Sequence, residues 1–186
     1  TYVVNLYEKA IVLEDDIVCS QFFLKYMNDA LVKYEEDNRV MSISAFMPNI
    51  KKNGLNQTFF TYFTSCWGWA TWKRSWVFFE KNPNKILDIL DRVESIKKFN
   101  LGGSDNLIGQ VKRNLEGSLN TWAVFWYASV FFKDGLVLHP RESLTENIGH
   151  DGTGENCPVD DIYSSHLLNS SPISYFEESI ENNEIA

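Results

Sequence analysis

The sequence predicts an α/β layer fold, and three observations carry that expectation. Short apolar runs of strand length alternate with stretches whose apolar residues repeat at helical spacing. The run Ala10-Ile11-Val12-Leu13-Glu14 is unbroken and apolar up to its acidic end, the pattern of a strand buried on both faces. Trp122 to Phe132 is hydrophobic nearly all round, the pattern of a buried helix. With 44% hydrophobic and 15% aromatic residues, the 186-residue chain has the material for one packed domain and is short for two.

Along the chain, the strand at 10–14 is followed by Ser20, a candidate N-cap for a helix over about 21–36. Its apolar positions Phe22, Phe23, Tyr26, Met27, Ala30, Leu31 and Tyr34 share a face. Arg39 to Phe46 reads as a second inner strand. Asn49 to Asn56 is turn-rich, with Asn53-Gly54 its bend, and Phe59 to Phe63 reads as a short strand. Trp67-Gly68-Trp69 breaks the pattern before a short helix near 70–76. Helices are predicted over about 85–98 and 105–116, separated by Gly102-Gly103. Gly135 to His139 is a last strand, stopped by Pro140, and from Leu144 the chain reads as irregular. The organisation is thus a body over 1–157 and an acidic tail over 158–186.

All 17 Lys and Arg lie at or before Arg141, whereas ten of the 25 acids follow it. The net charge of −8 therefore belongs to the C-terminal segment, and no basic stripe suited to nucleic acid is present. Cys19, Cys66 and Cys157 are far apart and odd in number, which argues against a disulfide framework and for a reducing, cytoplasmic setting. No apolar run reaches the roughly 20 residues of a membrane span, which leaves membrane attachment of a longer parent open. The chain starts without Met, directly on a hydrophobic segment, as a piece of a longer polypeptide would. An inner strand at residue 10 with nothing before it is an open sheet edge, which suggests missing earlier βα units and self-association through that edge.

The chemistry centres on Glu14-Asp15-Asp16. Open α/β sheets bind ligands at the carboxyl ends of their strands, and here such an end carries three successive acids. Their mutual repulsion is costly unless a cation offsets it, and a hard ion such as Mn²⁺ or Mg²⁺ takes oxygen ligands of this kind. In strand geometry Glu14 and Asp16 would point one way and Asp15 the other. The plainer reading is a solvated acidic turn ahead of the helix.

The runs AIVLEDDIVCSQFFLKYMNDAL, RVMSISAF and SCWGWATWKRSW resemble bacterial glycosyltransferases, family 2-like, with a GT-A fold. These are similar in turn to the eukaryotic N-acetylglucosaminyltransferase I type, whose metal motif is EDD. The likeness continues through SLNTWAVFWYASVFF, GLVLHP and SLTENIGHDGTGENC, so it spans roughly residues 10–157. It implies a GT-A-like mixed sheet flanked by helices. It further implies sugar transfer from a nucleotide-sugar donor, a UDP-sugar first among them, to a carbohydrate acceptor, dependent on a divalent metal and inverting. On this resemblance Asp16 is the direct metal ligand, while Glu14 and Asp15 contact the ribose or donor sugar or hold the metal through water.

The general base is where the sequence departs from those proteins. They carry an acid before a Ser/Thr-Trp pair, and here that position is Asn120, ahead of Thr121 and Trp122. Asn cannot accept a proton at neutral pH. Asp105 and Glu116 are the nearest acids, and Asp105 reads equally well as an acid favoured by a helix start. In Ser65-Cys66-Trp67-Gly68-Trp69, Gly68 permits a tight turn, and Trp67 to Trp69 are expected to border a sugar, whose C–H face packs on indole. Trp72 and Trp76 are expected in the core. Asn147 to Gly154 holds three glycines around His150, a second candidate for the metal shell or the diphosphate. The competing readings are a non-catalytic carbohydrate-binding module, favoured by Asn120, and a metal-dependent phosphohydrolase, disfavoured by only three His.

Overall fold

The computed structural model describes residues 1–48, 54–149 and 171–183. Its centre is a five-stranded mixed sheet of β1 (Lys9–Val12), β3 (Val40–Ser44), β4 (Thr58–Thr61), β5 (Trp69–Trp72) and β6 (Leu136–Pro140), in the order β1-β5-β3-β6-β4. β5 is antiparallel to both β1 and β3, β3 is parallel to β6, and β4 is antiparallel to β6. β1, β3 and β6 therefore run in one direction and present their carboxyl ends at one rim. A two-stranded ribbon, β2 (Ile17–Cys19) with β7 (Thr145–Asn147), stands beside it.

Helices cover both faces, as the mixed α/β expectation requires. On one face α2 (Phe23–Lys33) buries Phe23, Tyr26, Met27, Ala30 and Leu31 against Ile43, Ala70, Trp72 and Leu138. On the other, α7 (Ala123–Phe131) packs Trp126 and Val130 on Met41, Trp69 and Val137. Residues 124–130 are all buried because α7 is a middle layer. Behind it α4 (Pro83–Ile89), α5 (Val93–Phe99) and α6 (Leu107–Glu116) close a second cluster around Phe99, Val111 and Phe125.

Several sequence expectations change for identifiable reasons. β1 is half-buried along its length, not buried on both faces, because it pairs only with β5 among the described residues. The helix expected at 70–76 is β5 followed by one turn, α3 (Lys73–Trp76). Ladder pairing on both sides of Trp69-Ala70-Thr71-Trp72 overrides the helical spacing of the tryptophans. The single helix expected at 85–98 is α4 and α5, broken at Leu90–Arg92; the break lets Ile86, Leu90 and Phe99 enter one cluster. Asn82 caps α4, its side chain accepting from Lys85 N, with Pro83 in the first turn. Ser20 does not cap α2, which starts at Phe23; its hydroxyl accepts from Phe22 N in the turn before it. Asn106 caps α6, accepting from Gly109 N at 3.1 Å. The stretch after Leu144, expected to be irregular, supplies β7.

Tertiary contacts also finish what local signals leave open. α2 has no glycine C-cap; the Arg74 guanidinium donates to the carbonyls of Tyr34 (2.9 Å), Glu35 (2.8 Å) and Val40 (2.9 Å). It lies 4.2 Å over the Trp72 ring, a stacked geometry for which Arg is suited. Residues 171–183 run along the outer edge of β4. Phe176 stacks on Tyr26, Tyr34 Oη donates to Glu177 O at 2.6 Å, and Asn183 N donates to Phe60 O at 2.8 Å. That edge is therefore covered. A short helix α1 (Tyr2–Tyr7) precedes β1 and leaves Tyr2, Val3, Leu6 and Tyr7 exposed.

Candidate functional site

At the rim where β1, β3 and β6 end, the start of β5 and the start of α7 come together. The register of β1 on β5 sets Val12 opposite Trp69, so the chain beyond Val12 runs toward Cys66 and Trp67. Glu14, Asp15 and Asp16 lie in a turn between β1 and β2, not in an extended strand, so the expected strand alternation does not apply. Ile17 N donates back to Glu14 O (3.3 Å), and Ile148 N donates to Asp16 O (2.9 Å). The β2–β7 ribbon thus clamps the turn from its far side.

The three acids differ in surroundings. Glu14 is half-buried, and its carboxylate accepts hydrogen bonds from the Cys66 thiol and the Trp122 indole. Burial holds its pKa above the usual carboxylate value, with repulsion from Asp16 and then Asp15 adding; the two hydrogen bonds only partly offset this. Cys66 is pushed up to about 12, first by burial and then by the charge of Glu14. It stays a protonated donor at neutral pH, not a nucleophile. Asp16 has one carboxylate oxygen, Oδ1, buried without a hydrogen-bond partner among the described residues. Gly149 lies against the same carboxylate: a Cβ there would sit 2.7 Å from Asp16 Oδ2. Asp15 is exposed.

The aromatic block divides. Trp67 is half-buried and packs edge-to-face on Phe46, ring centroids 4.5 Å apart. Its carbonyl accepts from Thr145 Oγ1 at 2.7 Å, which ties the block to β7. Gly68 adopts φ +83, and a Cβ on it would meet Thr145 Cγ2 at 2.7 Å, so the site demands glycine on both counts. Trp69 is only 3% exposed and is enclosed by Trp76, Trp122 and Trp126. It supports the rim from below and offers no open face. Trp72 is core as expected, and Trp76 is half-buried against Phe79. Trp122 joins the two sets, stacking on Trp69 at 5.3 Å and bonding Glu14.

Asn120, where similar proteins carry an acid, and Asp105, offered as a base in its place, each have partners of their own. Asn120 is exposed, two residues from Trp122, and its Oδ1 accepts from Lys81 Nζ at 2.7 Å. Asp105 is exposed, accepts from Asn106 N at 2.6 Å, and exerts its charge on Tyr127, on the outer helical side of α7. His150 and the glycines after it lie outside the described residues. Among the described residues, no group of three or more His, Cys, Asp or Glu converges as a metal cluster, and no helix is long and apolar enough to cross a membrane. Sequence reasoning did not single out Cys66 and Gly149 as partners of the acids. The only signal for either was its position in an aromatic or glycine-rich block.

Compared with known proteins, the chain matches no protein-family model and no curated relative.

Proposed function

We propose that this chain is the metal- and acceptor-side part of a GT-A-type glycosyltransferase, moving a sugar from a nucleotide-sugar donor to a carbohydrate hydroxyl. The observation that carries the reading is the acidic turn at the carboxyl rim of the sheet, where Asp16 Oδ1 is buried without a hydrogen-bond partner among the described residues. A buried carboxylate oxygen without a donor is a costly arrangement that a cation relieves. Asp16, with Glu14 or Asp15 through water, suits Mn²⁺ or Mg²⁺, which take one or two carboxylates and complete the shell with phosphate oxygens and water. Bound there, such an ion supplies Lewis-acid stabilisation of charge on the departing nucleoside diphosphate.

The chain's own residues would then act as follows. Cys66 and Trp122 orient Glu14 by hydrogen bonds, leaving its remaining acceptor capacity for a donor hydroxyl. Trp67, half-buried and backed by the buried Phe46, offers an apolar wall for the C–H face of a pyranose. The β2–β7 clamp keeps Asp16 in place as a donor arrives. An acceptor hydroxyl needs a base, which Asn120 cannot be. That feature supports a second reading, a carbohydrate-binding module that holds a nucleotide sugar or glycan without turnover. The β1 edge, unpaired on one side among the described residues, supports association with a further strand, a second copy of the chain included.

Calorimetric titration with UDP-, GDP- and dTDP-sugars, with and without Mn²⁺, tests the reading. Metal-dependent binding that is lost in Asp16→Ala is expected. Absence of such binding, or indifference to Asp16→Ala, would overturn it.

A further inference from the structure

His139, on β6, does not belong to the acidic turn, yet its ring holds the segment that leads from β4 to Cys66. It is 2% exposed and stacks between Phe59 (5.9 Å) and Phe63 (6.4 Å). Both ring nitrogens face backbone carbonyls: Nε2 lies 2.9 Å from Phe63 O, and Nδ1 lies 3.4 Å from Phe46 O. Carbonyl oxygens only accept, and a neutral imidazole has one N–H to donate. Burial disfavours the imidazolium that could serve both, although the two carbonyls oppose that shift. The shorter contact therefore takes the proton, giving the Nε2–H form, and Nδ1, left with its lone pair, makes no hydrogen bond to the Phe46 carbonyl.

The positions of these partners give the ring its significance. Phe46 follows β3, and its side chain packs on Trp67. Phe63 lies three residues before Cys66, the residue that bonds Glu14. Ser143 completes the frame, its hydroxyl accepting from Met47 N at 3.3 Å. Nothing in the local sequence of either segment fixes its distance from the other.

We infer that His139 is a positioning residue: by donating Nε2–H to the Phe63 carbonyl from a buried, stacked ring, it fixes on β6 the segment that leads to Cys66, and so sets the Glu14–Cys66 pair. The role in ligand binding rests on the function proposed above, whereas the structural pin does not.

The test has a ligand-free arm and a ligand arm. In wild-type protein, ¹⁵N imidazole spectra should show the Nε2–H tautomer of His139, neutral below the pH at which free imidazole titrates. In His139→Phe, which keeps volume and stacking, hydrogen exchange should rise about tenfold at residues 63–67, while amides of β1 and α2 stay as they were. His139→Gln, which restores a donor toward Phe63 O, should recover most of that protection. An Nδ1–H tautomer, ordinary titration, or an increase spread evenly over the molecule overturns the inference. In the ligand arm, UDP-N-acetylglucosamine with Mn²⁺ is titrated into all three proteins; weakened binding in His139→Phe with recovery in His139→Gln is expected. Should wild type bind no nucleotide sugar, the proposed function fails, and the exchange pattern still decides the role of His139.

Discussion

Replacing Gly68 with alanine probes the joint on which the site is built. Two costs add. The backbone at φ +83 is left-handed, which costs an L-residue about 1–2 kcal/mol. The new methyl would lie 2.7 Å from Thr145 Cγ2, with Phe23 Cε2 at 3.2 Å and Leu13 Cδ2 at 3.4 Å. Thr145 is fully buried and cannot swing aside without losing its 2.7 Å bond to Trp67 O, so overpacking adds about 1–3 kcal/mol. The expected loss is about 2–5 kcal/mol, read as a lower urea midpoint at unchanged slope. For a chain of this size that corresponds to a fall in Tm of about 5–15 °C. A double-mutant cycle with Thr145→Ser, which removes the clashing methyl and keeps the hydroxyl, should show a coupling of about 1 kcal/mol or more. A Gly68→Ala protein within about 0.5 kcal/mol of wild type, or no coupling to Thr145→Ser, would refute the close approach of the two segments.

Three further outcomes follow from the structure. Because the pKa of Glu14 is raised by burial, folding favours its protonated form, and its stabilising contribution is fully present below the unfolded value of 4.5 and lost as pH rises through the folded pKa. Urea unfolding in chelator should therefore find Glu14→Gln more stable than wild type at pH 7, with the advantage vanishing near pH 4; a constant difference across pH would contradict the assignment. Phe176→Ala, which removes the ring stacked on Tyr26, should lower stability by about 1–2 kcal/mol and increase exchange along β4, and a neutral effect would mean that residues 171–183 do not hold that edge. Asp16→Asn should retain the fold by circular dichroism while weakening any Mn²⁺-dependent nucleotide-sugar binding seen in wild type, and unchanged binding would remove Asp16 from the metal shell.

Much of the layer architecture could be read from residue pattern. α7 announces itself by being apolar on every side, and its burial follows because such a helix has no face to give to water. The apolar runs ending at Ser44 and Pro140 become neighbouring parallel strands, as the α/β reading expects. Where reading failed, a longer-range pairing outweighed a local preference. Trp69, Trp72 and Trp76 have helical spacing, yet residues 69–72 gain two ladders by becoming β5. The acids at 14–16 read as a strand end, but the β2–β7 pairing across nearly 130 residues folds them into a turn. No window of sequence contains both partners of that pairing.

The candidate site shows the same division. The acidic triplet could be recognised from chain order alone, because three adjacent carboxylates after an apolar strand are costly wherever they fall. What surrounds each acid was decided only by tertiary structure. Cys66 and Trp122 reach Glu14 from 52 and 108 positions away, Gly149 comes against Asp16, and Trp69, expected to border the sugar, is sealed beneath the rim. The sequence by itself determined which groups carry charge and which must be buried, since those are properties of side chains. The fold decided which charge is desolvated, which is hydrogen-bonded and which is left without a partner, since those depend on distances that only packing sets.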